Sequence, residues 1–371
     1  MEHWDVVVAG GGPAGAAAAL SALRDRPGAR VLLLDRADFP RDKVCGDGIA
    51  PEALDVVATL GVDAAALTDG HPPVPRLHVR SPGGDEGERT TRRPSFVVPR
   101  EVFDARLVRA AVAAGAELRR HTVRDVVVRP DAVEVDGRFG ADVLVGADGA
   151  ESVVRRALGT RPNRPDQLAV AIRGYGPELP GQAGALVLAT TEQRWPAYAW
   201  SFPLGDGRAN LGYGELVSGG TTRAELVAGL ARLLPGTRPE HLRAHRLPLS
   251  TGRPRQPDGR VLLAGDAASL INPLTGEGIF YAVLSGALAG RAAAHGADAG
   301  AVLRTSLRRR LGRHFRSTTV ASQLSRWPAV MDGAFRAAAA DQRVFDAVVD
   351  LGLADGRLTA RTLAAIARQL L

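Results

Sequence analysis

The sequence predicts an α/β protein: a Rossmann-like, doubly wound domain, an antiparallel sheet inserted into it, and helices at the C-terminal end. Three observations carry this expectation. A strand, glycine turn, helix and strand follow one another at 6–35; alternating strands run from about 162 to 254; and a buried strand at 261–264 returns to the first domain. The expected division is 1–75, 95–160 and 255–295 for a discontinuous dinucleotide-binding domain, 76–94 and 161–254 for a substrate sheet, and 296–371 for a helical segment.

The first unit opens with Val6-Val7-Val8-Ala9, an apolar β-branched run, and Gly10-Gly11-Gly12-Pro13-Ala14-Gly15 follows it. An alanine-rich helix former and the run Val31-Leu32-Leu33-Leu34-Asp35 complete a βαβ unit. Gly10 permits the tight turn, Gly12 lets a pyrophosphate approach the backbone, and Gly15 lets helix and strand pack closely. The helix starting at Pro13-Ala14 aims its amides and positive dipole end at the phosphates. Asp35, 20 residues after Gly15, can accept from a ribose diol. This unit binds a dinucleotide, but by itself does not separate FAD from NAD.

Phe39–Gly48 is a Pro- and Gly-punctuated loop that holds Lys43, Cys45 and Gly46, and it belongs at the surface or over a ligand. A helix follows from about Pro51 to Leu60, and the Pro-, Gly- and charge-rich segment Asp69–Pro94, with a short strand at Arg76–Arg80, is expected to leave the first domain and return as an edge hairpin. Arg100 lies in the first turn of an amphipathic helix whose face carries Phe103, Leu107, Ala110, Ala111 and Ala114, with Gly115 ending it. Val123–Val128 and Ala132–Val135 read as a small meander. Asp142–Gly149 is a buried strand ending in Asp148-Gly149, where a doubly wound sheet places ligands. The alternative reading of Asp148 is as the cap of the next helix. Further on, Tyr198, Trp200 and Phe202 are two apart and share one face of a strand, either as core or as the wall of an apolar substrate cavity. A turn at Leu204–Arg208 folds that strand into a hairpin with Ala209–Glu215.

The run Val261–Ala264 ends at Gly265-Asp266, and Pro273, Gly276, Gly278 and Ile279 lead into a further helix. Asp266 can accept from ribityl hydroxyls, and the amides at Gly276–Ile279 can face the N1–C2=O edge of a flavin. This second signal indicates FAD rather than NAD.

Together, the glycine fingerprint, Gly146-Ala147-Asp148-Gly149 and Gly265-Asp266-Ala267-Ala268 resemble the FAD-dependent group that contains the aromatic hydroxylases. Within it, Phe39–Gly48, Tyr198-x-Trp200-x-Phe202-Pro203 and Asn272–Gly278 are most similar to the geranylgeranyl reductases. The resemblance covers about residues 1–290. It departs at the proline before the aromatic strand, with Trp195 where that proline is expected, in a short chain, and in a tail without family motifs after 290. It implies a p-hydroxybenzoate-hydroxylase-like fold, non-covalent FAD, reduction of isoprenoid C=C bonds, and a cysteine, here Cys45, near the flavin. With Arg36, Arg100 and Val123 added to the positions above, the expected cofactor set is complete.

No second glycine fingerprint follows, so NAD(P)H is expected to dock transiently as electron donor. Cys45 is a candidate proton donor or flavin-tuning thiol, or else a small buried filler. The alternative activity is an oxygen-dependent hydroxylase or epoxidase; a halogenase needs an active-site lysine, and the only lysine, Lys43, lies in the flavin loop. His241 and His245 read as one side of a solvated helix, and no metal site is expected. The positive charge behind the net +7 is nearly all arginine alongside abundant Ala, Gly and Pro, a usage that resembles a GC-rich genome rather than a binding surface, so the charge carries no functional weight and no nucleic-acid partner is expected. An apolar small molecule is expected instead, with possible peripheral membrane contact through the acid-free run Arg304–Arg316. A single cysteine, no 20-residue apolar run and no signal-peptide pattern imply a cytoplasmic location.

Overall fold

The computed structural model describes residues 1–182, 184–193, 196–217 and 221–370; Trp195 and Leu371 lie outside them. In chain order the strands are β1 (Glu2–Ala9), β2 (Val31–Asp35), β3 (Gly48–Ile49), β4 (Pro73–Arg80), β5 (Glu86–Val97), β6 (Glu117–Arg120), β7 (Val126–Val128) and β8 (Val133–Val135). They continue with β9 (Phe139–Gly146), β10 (Leu168–Pro177), β11 (Ala185–Thr190), β12 (Ala197–Pro203), β13 (Arg208–Leu216), β14 (Glu240–Pro248) and β15 (Val261–Leu263). The helices are α1 (Pro13–Asp25), α2 (Pro51–Thr59), α3 (Ala64–Thr68), α4 (Arg100–Ala113), α5 (Val153–Ala157) and α6 (Arg223–Leu233). The remaining five are α7 (Ile279–Ala293), α8 (Ala299–Leu324), α9 (Pro328–Ala340), α10 (Gln342–Leu353) and α11 (Ala360–Arg368).

Two sheets organise the chain. In the first, β6, β2, β1, β9 and β15 run parallel, with β1 between β2 and β9. Val6–Ala9, Val31–Leu34 and Val143–Val145 are all buried, as a parallel sheet covered on both faces requires. On one face α1 and α7 pack with their backbones nearly touching: a Cβ on Gly286 would sit 2.1 Å from the carbonyl oxygen of Ala14, and one on Gly290 2.2 Å from that of Ala18. The alanine-rich α1 sequence is what makes this approach possible.

The expected meander forms, though in shorter strands, and it does not stand alone. β7 and β8 extend the parallel sheet as an antiparallel edge on β9. Val123 precedes β7 and packs half-buried against the main core. In α4 the buried face is Phe103, Leu107, Val108 and Ala111; Ala114 lies beyond the helix and is exposed.

The second sheet has the order β14-β10-β13-β12-β11-β4-β5-β3. β4 and β5 enter it from early in the chain, and β11 pairs with β4 in parallel. One face is covered by α6, whose Thr222–Glu225 capping box starts the helix. Ile172, Leu211 and Tyr213 point to this side and pack with Leu226, Leu230 and Leu233. A Cβ on Gly229 would lie 2.5 Å from the Tyr213 ring.

His241 and His245 contradict the sequence reading. They lie in β14 rather than on a helix, and His245 is paired across the sheet with Ala171. A four-residue spacing returns to the same face of a strand as well as of a helix, and pairing with β10 decides between the two. Among the described residues, no group of His, Cys, Asp and Glu could hold a metal, and no helix is long and apolar enough to cross a membrane.

Candidate active site

The register of four strands builds the second sheet's other face. Directly opposed residues share a face, so Tyr198, Gly214, Ala171 and His245 form one row across β12, β13, β10 and β14. Trp200, Gly212, Arg173 and Arg243 form the next, and Phe202, Asn210 and Tyr175 a third. Glycines in the middle of the first two rows leave room for rings: a Cβ on Gly212 would lie 2.0 Å from the Trp200 indole. Tyr198 and Trp200 have ring centroids 5.8 Å apart, and Trp200 and Phe202 6.4 Å. The three aromatics therefore form one wall, as their period-2 spacing implied.

The loop carrying Cys45 lies against that wall. A Cβ on Gly46 would be 3.3 Å from the Phe202 ring and 3.5 Å from Trp200 Nε1. Arg173 clamps the loop, donating from Nε to the Cys45 carbonyl at 3.1 Å and from Nη2 to the Lys43 carbonyl at 2.9 Å and to Asp42 at 2.6 Å. Asn210 Nδ2 donates to the same Cys45 carbonyl at 2.8 Å. Asp47 is fully buried in a left-handed conformation (φ 61°), accepting from Tyr175 Oη at 2.6 Å and Asn210 at 2.7 Å. Burial pushes the Cys45 thiol up, while Arg100 opposes the shift.

Burial also raises the Asp47 carboxyl to about 6, against the pull of Arg173. The sign follows from the raised value. The folded protein holds this proton more tightly than the unfolded chain, so Asp47's contribution to stability is full below the unfolded pKa and is lost as pH rises through about 6. Thermal melts from pH 4 to 7.5 should show wild type losing about 3 kcal/mol relative to Asp47→Asn across that window. Parallel curves would exclude Asp47 as the titrating group.

The glycine turn meets the other segments here. Gly10 (φ 103°) lies against Ala147 and Asp148; a Cβ there would sit 2.3 Å from the Ala147 carbonyl oxygen. On Gly15 it would be 1.8 Å from the carbonyl oxygen of Gly10, and on Gly265 3.1 Å from the Cβ of Ala14. Asp35 accepts from the Gly11 amide at 2.8 Å, so it holds the turn as well as ending β2. Arg100 is buried in a bidentate pair with Asp104 (2.6 and 2.7 Å), and Arg41 reaches both Asp104 and Asp35. A Cβ on Gly12 would come within 3.8 Å of the Arg41 guanidinium and 3.9 Å of that of Arg100. Arg36 is exposed beyond β2.

Two expectations change. The Asp148 side chain is a helix cap: its carboxylate accepts from the Ser152 hydroxyl and from the Val153 and Val154 amides, so what it brings to the site is backbone, with Gly149 turning at φ 80°. The start of α7 is also capped from within. Glu277 accepts from the Phe280 amide at 2.8 Å and from that of Ile279, so these amides are not aimed freely at a ligand. Burial lifts the Glu277 carboxyl to about 7. Pro273 and Gly276 shape the preceding loop; a Cβ on Gly276 would lie 3.1 Å from Tyr198 Oη, which donates to the Thr275 carbonyl.

Lys43 and Asp266 form an ion pair at 3.1 Å across 223 positions of sequence. Burial pushes Asp266 up, but Lys43, His245 and Arg100 together outweigh it and hold the carboxyl below its usual range. Beside them His245, lowered to about 4 by burial and by Lys43, has a buried Nε2 with no hydrogen-bond partner among the described residues.

These residues fit FAD. The α1 N-terminus has neither an acid in its first turn nor a side-chain cap, and two guanidiniums stand by Gly12, which suits a diphosphate. Asp266, Lys43 and the orphaned His245 nitrogen supply polar partners further along, toward the aromatic wall. Sequence reading missed Arg41, Arg173, Tyr175, Asn210, His245 and Glu277. Period-2 alternation in β10 (Ala171, Arg173, Tyr175) and β13 (Asn210, Gly212, Gly214) was the available signal for three of them.

The fold and site define an FAD-dependent oxidoreductase of p-hydroxybenzoate-hydroxylase-like architecture. A family model for an FAD binding domain matches residues 3–172. A menaquinone reductase of Mycolicibacterium smegmatis is 37% identical over 317 residues, spanning 77% of this chain and 75% of the relative. Digeranylgeranylglycerophospholipid reductase 1 of Methanopyrus kandleri is 34% identical over 316 residues, 78% of this chain and 80% of the relative. Among solved structures, a geranylgeranyl bacteriochlorophyll reductase-like protein from Thermoplasma acidophilum superposes with a TM-score of 0.82 at 21% identity, covering 100% of this chain and 97% of that one. The anhydrotetracycline hydroxylase OxyS from Streptomyces rimosus shares the fold at a TM-score of 0.70 and 23% identity, over 94% of this chain and 75% of its own. The chain belongs to the geranylgeranyl reductase family of FAD-dependent reductases.

Proposed function

We propose that this enzyme saturates C=C bonds in the polyprenyl chain of a lipid or quinone, with NAD(P)H as transient electron donor. The carrying observation is the Cys45 loop seated on the Tyr198–Trp200–Phe202 wall. An apolar wall accepts a prenyl chain, and a thiol beside it can protonate one carbon. A menaquinone and a digeranylgeranyl phospholipid have a polyprenyl chain in common, which supports this substrate class.

Bound FAD supplies the hydride chemistry. Gly10–Gly15, Arg41 and Arg100 would hold its diphosphate, and Asp266 with Lys43 its ribityl side. Trp200 and Phe202 exclude water from the alkene, and Cys45 Sγ delivers the proton to the carbon that does not receive hydride. The thiolate left behind is stabilised by the Arg100 charge and by the Asp47 amide.

The test is anaerobic turnover of a polyprenyl lipid with NAD(P)H in D2O. Each reduced bond should gain two hydrogens, at least one of them from solvent, and Cys45→Ser should retain its flavin while losing about 100-fold in rate. Oxygen-18 entering the product under air would instead indicate a monooxygenase.

A lipid substrate also supports peripheral contact with a membrane facing a reducing cytoplasm. Arg304 and Arg310 are tied to Asp258 and Asp355, but Arg308, Arg309, Arg313 and Arg316 are exposed on α8 with no ion pair among the described residues. The same stripe continues to Val320, 46% exposed, and Trp327, 60% exposed, follows the end of the helix. Binding to anionic vesicles should fall about 100-fold when Arg309, Arg313 and Arg316 are all changed to Gln, at about 1 kcal/mol per arginine. Equal binding to neutral vesicles would remove this face from the account.

A further inference from the structure

Asn210 lies at the centre of a buried network that joins the two halves of the active site. Its Oδ1 accepts from Trp200 Nε1 at 2.8 Å, and its Nδ2 donates to the Cys45 carbonyl at 2.8 Å and to Asp47 Oδ2 at 2.7 Å. Chemistry fixes the orientation of this amide. Indole Nε1 only donates and the Cys45 carbonyl only accepts, so exchanging Oδ1 and Nδ2 would break the contacts to both. Asp47 passes the constraint on, because it stands two residues from Cys45 in the same loop, and its amide favours the Cys45 thiolate. Arg173 also holds the Cys45 carbonyl, but Asn210 is the group that ties it to the aromatic wall as well. Being 0% exposed, Asn210 cannot exchange these partners for solvent.

We propose that Asn210 is the positioning residue of the thiol: it fixes the Cys45 loop to the Trp200 wall, so the sulfur keeps one place relative to the substrate chain. Asn210 itself does not react. Without it, the Cys45 carbonyl loses one of two donors, Asp47 one of two side-chain donors, and the Trp200 N–H its acceptor. The loop then opens more often while the rest of the fold persists. This deepens the reading of Cys45 as proton donor, and it can be tested without turnover.

Cys45 is the only cysteine, so alkylation of the FAD-loaded protein by iodoacetamide, read by intact mass, reports this thiol alone. Asn210→Ala should label at least about tenfold faster than wild type, since one lost buried hydrogen bond is worth that much and Asn210 makes three. Asn210→Asp fills the same volume, so it tests the idea where alanine leaves a cavity; it turns an acceptor toward two acceptors and should give a similar acceleration. Ser201→Ala is the control for plain destabilisation. Ser201 is equally buried, hydrogen-bonds Gln182, and points to the other face of β12. It should lower the melting temperature and leave labelling within about twofold of wild type. Unchanged labelling in both Asn210 variants, or equal acceleration in Ser201→Ala, would overturn the proposal. Loss of the Cys45→Ser turnover effect would instead remove the thiol from the chemistry and leave the positioning result standing.

Discussion

Gly15→Ala should purify without yellow colour. The added methyl would sit 1.8 Å from the carbonyl oxygen of Gly10, which is backbone and cannot swing aside as a side chain would. Relief requires α1 to move away from the turn that follows β1. That turn is itself pinned, by Asp35 on the Gly11 amide and by Ala147 against Gly10. Moving α1 withdraws its N-terminal amides from the phosphate position and disturbs its backbone-close packing on α7. Overpacking of this kind costs about 1–3 kcal/mol or more, and here it falls on the phosphate cradle. Flavin affinity, measured by fluorescence titration of the apoprotein, should drop at least about 100-fold, near 3 kcal/mol. A folded, fully yellow variant would show that the turn does not carry the cofactor.

Gly212→Ala should do the opposite: keep the flavin and lose turnover. Its methyl would lie 2.0 Å from the Trp200 ring, directly across the β12–β13 ladder. The indole must leave its slot over the strand, breaking its bond to Asn210 and pushing toward Gly46 and the Cys45 loop. A displacement near 1 Å at the proposed substrate wall is worth up to about 100-fold in kcat/KM. The glycine fingerprint is on the other sheet, so flavin content should stay at the wild-type level. Wild-type kcat/KM in this variant would mean that the aromatic face does not contact substrate.

These two residues also show what could be read from sequence. Gly15 belongs to a local motif whose strand, turn, helix and acid are contiguous, so the βαβ unit and Asp35 were visible at once. Asp266 was visible for the same reason, at the end of a buried strand. The aromatic wall was visible because period 2 places Tyr198, Trp200 and Phe202 together whatever they face.

What faces them was not. Arg173, Tyr175 and Asn210 meet the Cys45 loop across 128, 128 and 165 positions of sequence, and only strand pairing brings them there. His245 was misread because a four-residue spacing suits strand and helix alike. Asp148 presented two compatible roles, and the helix beginning at Val153 took its carboxylate. The Glu277 cap was hidden because Gly276–Ile279 reads as an open helix start, and only the side-chain geometry shows where that carboxylate goes.

The most direct test of the account is the binding of FAD itself, since three distant segments must hold one flavin. Apoprotein of wild type, Gly10→Ala, Arg100→Leu and Asp266→Ala should be titrated with FAD and followed by absorbance and fluorescence. The account predicts one non-covalent FAD per wild-type chain, and weakening of that same step in all three variants. Failure of the wild type to bind flavin, or full flavin affinity in any of the three variants, would contradict it.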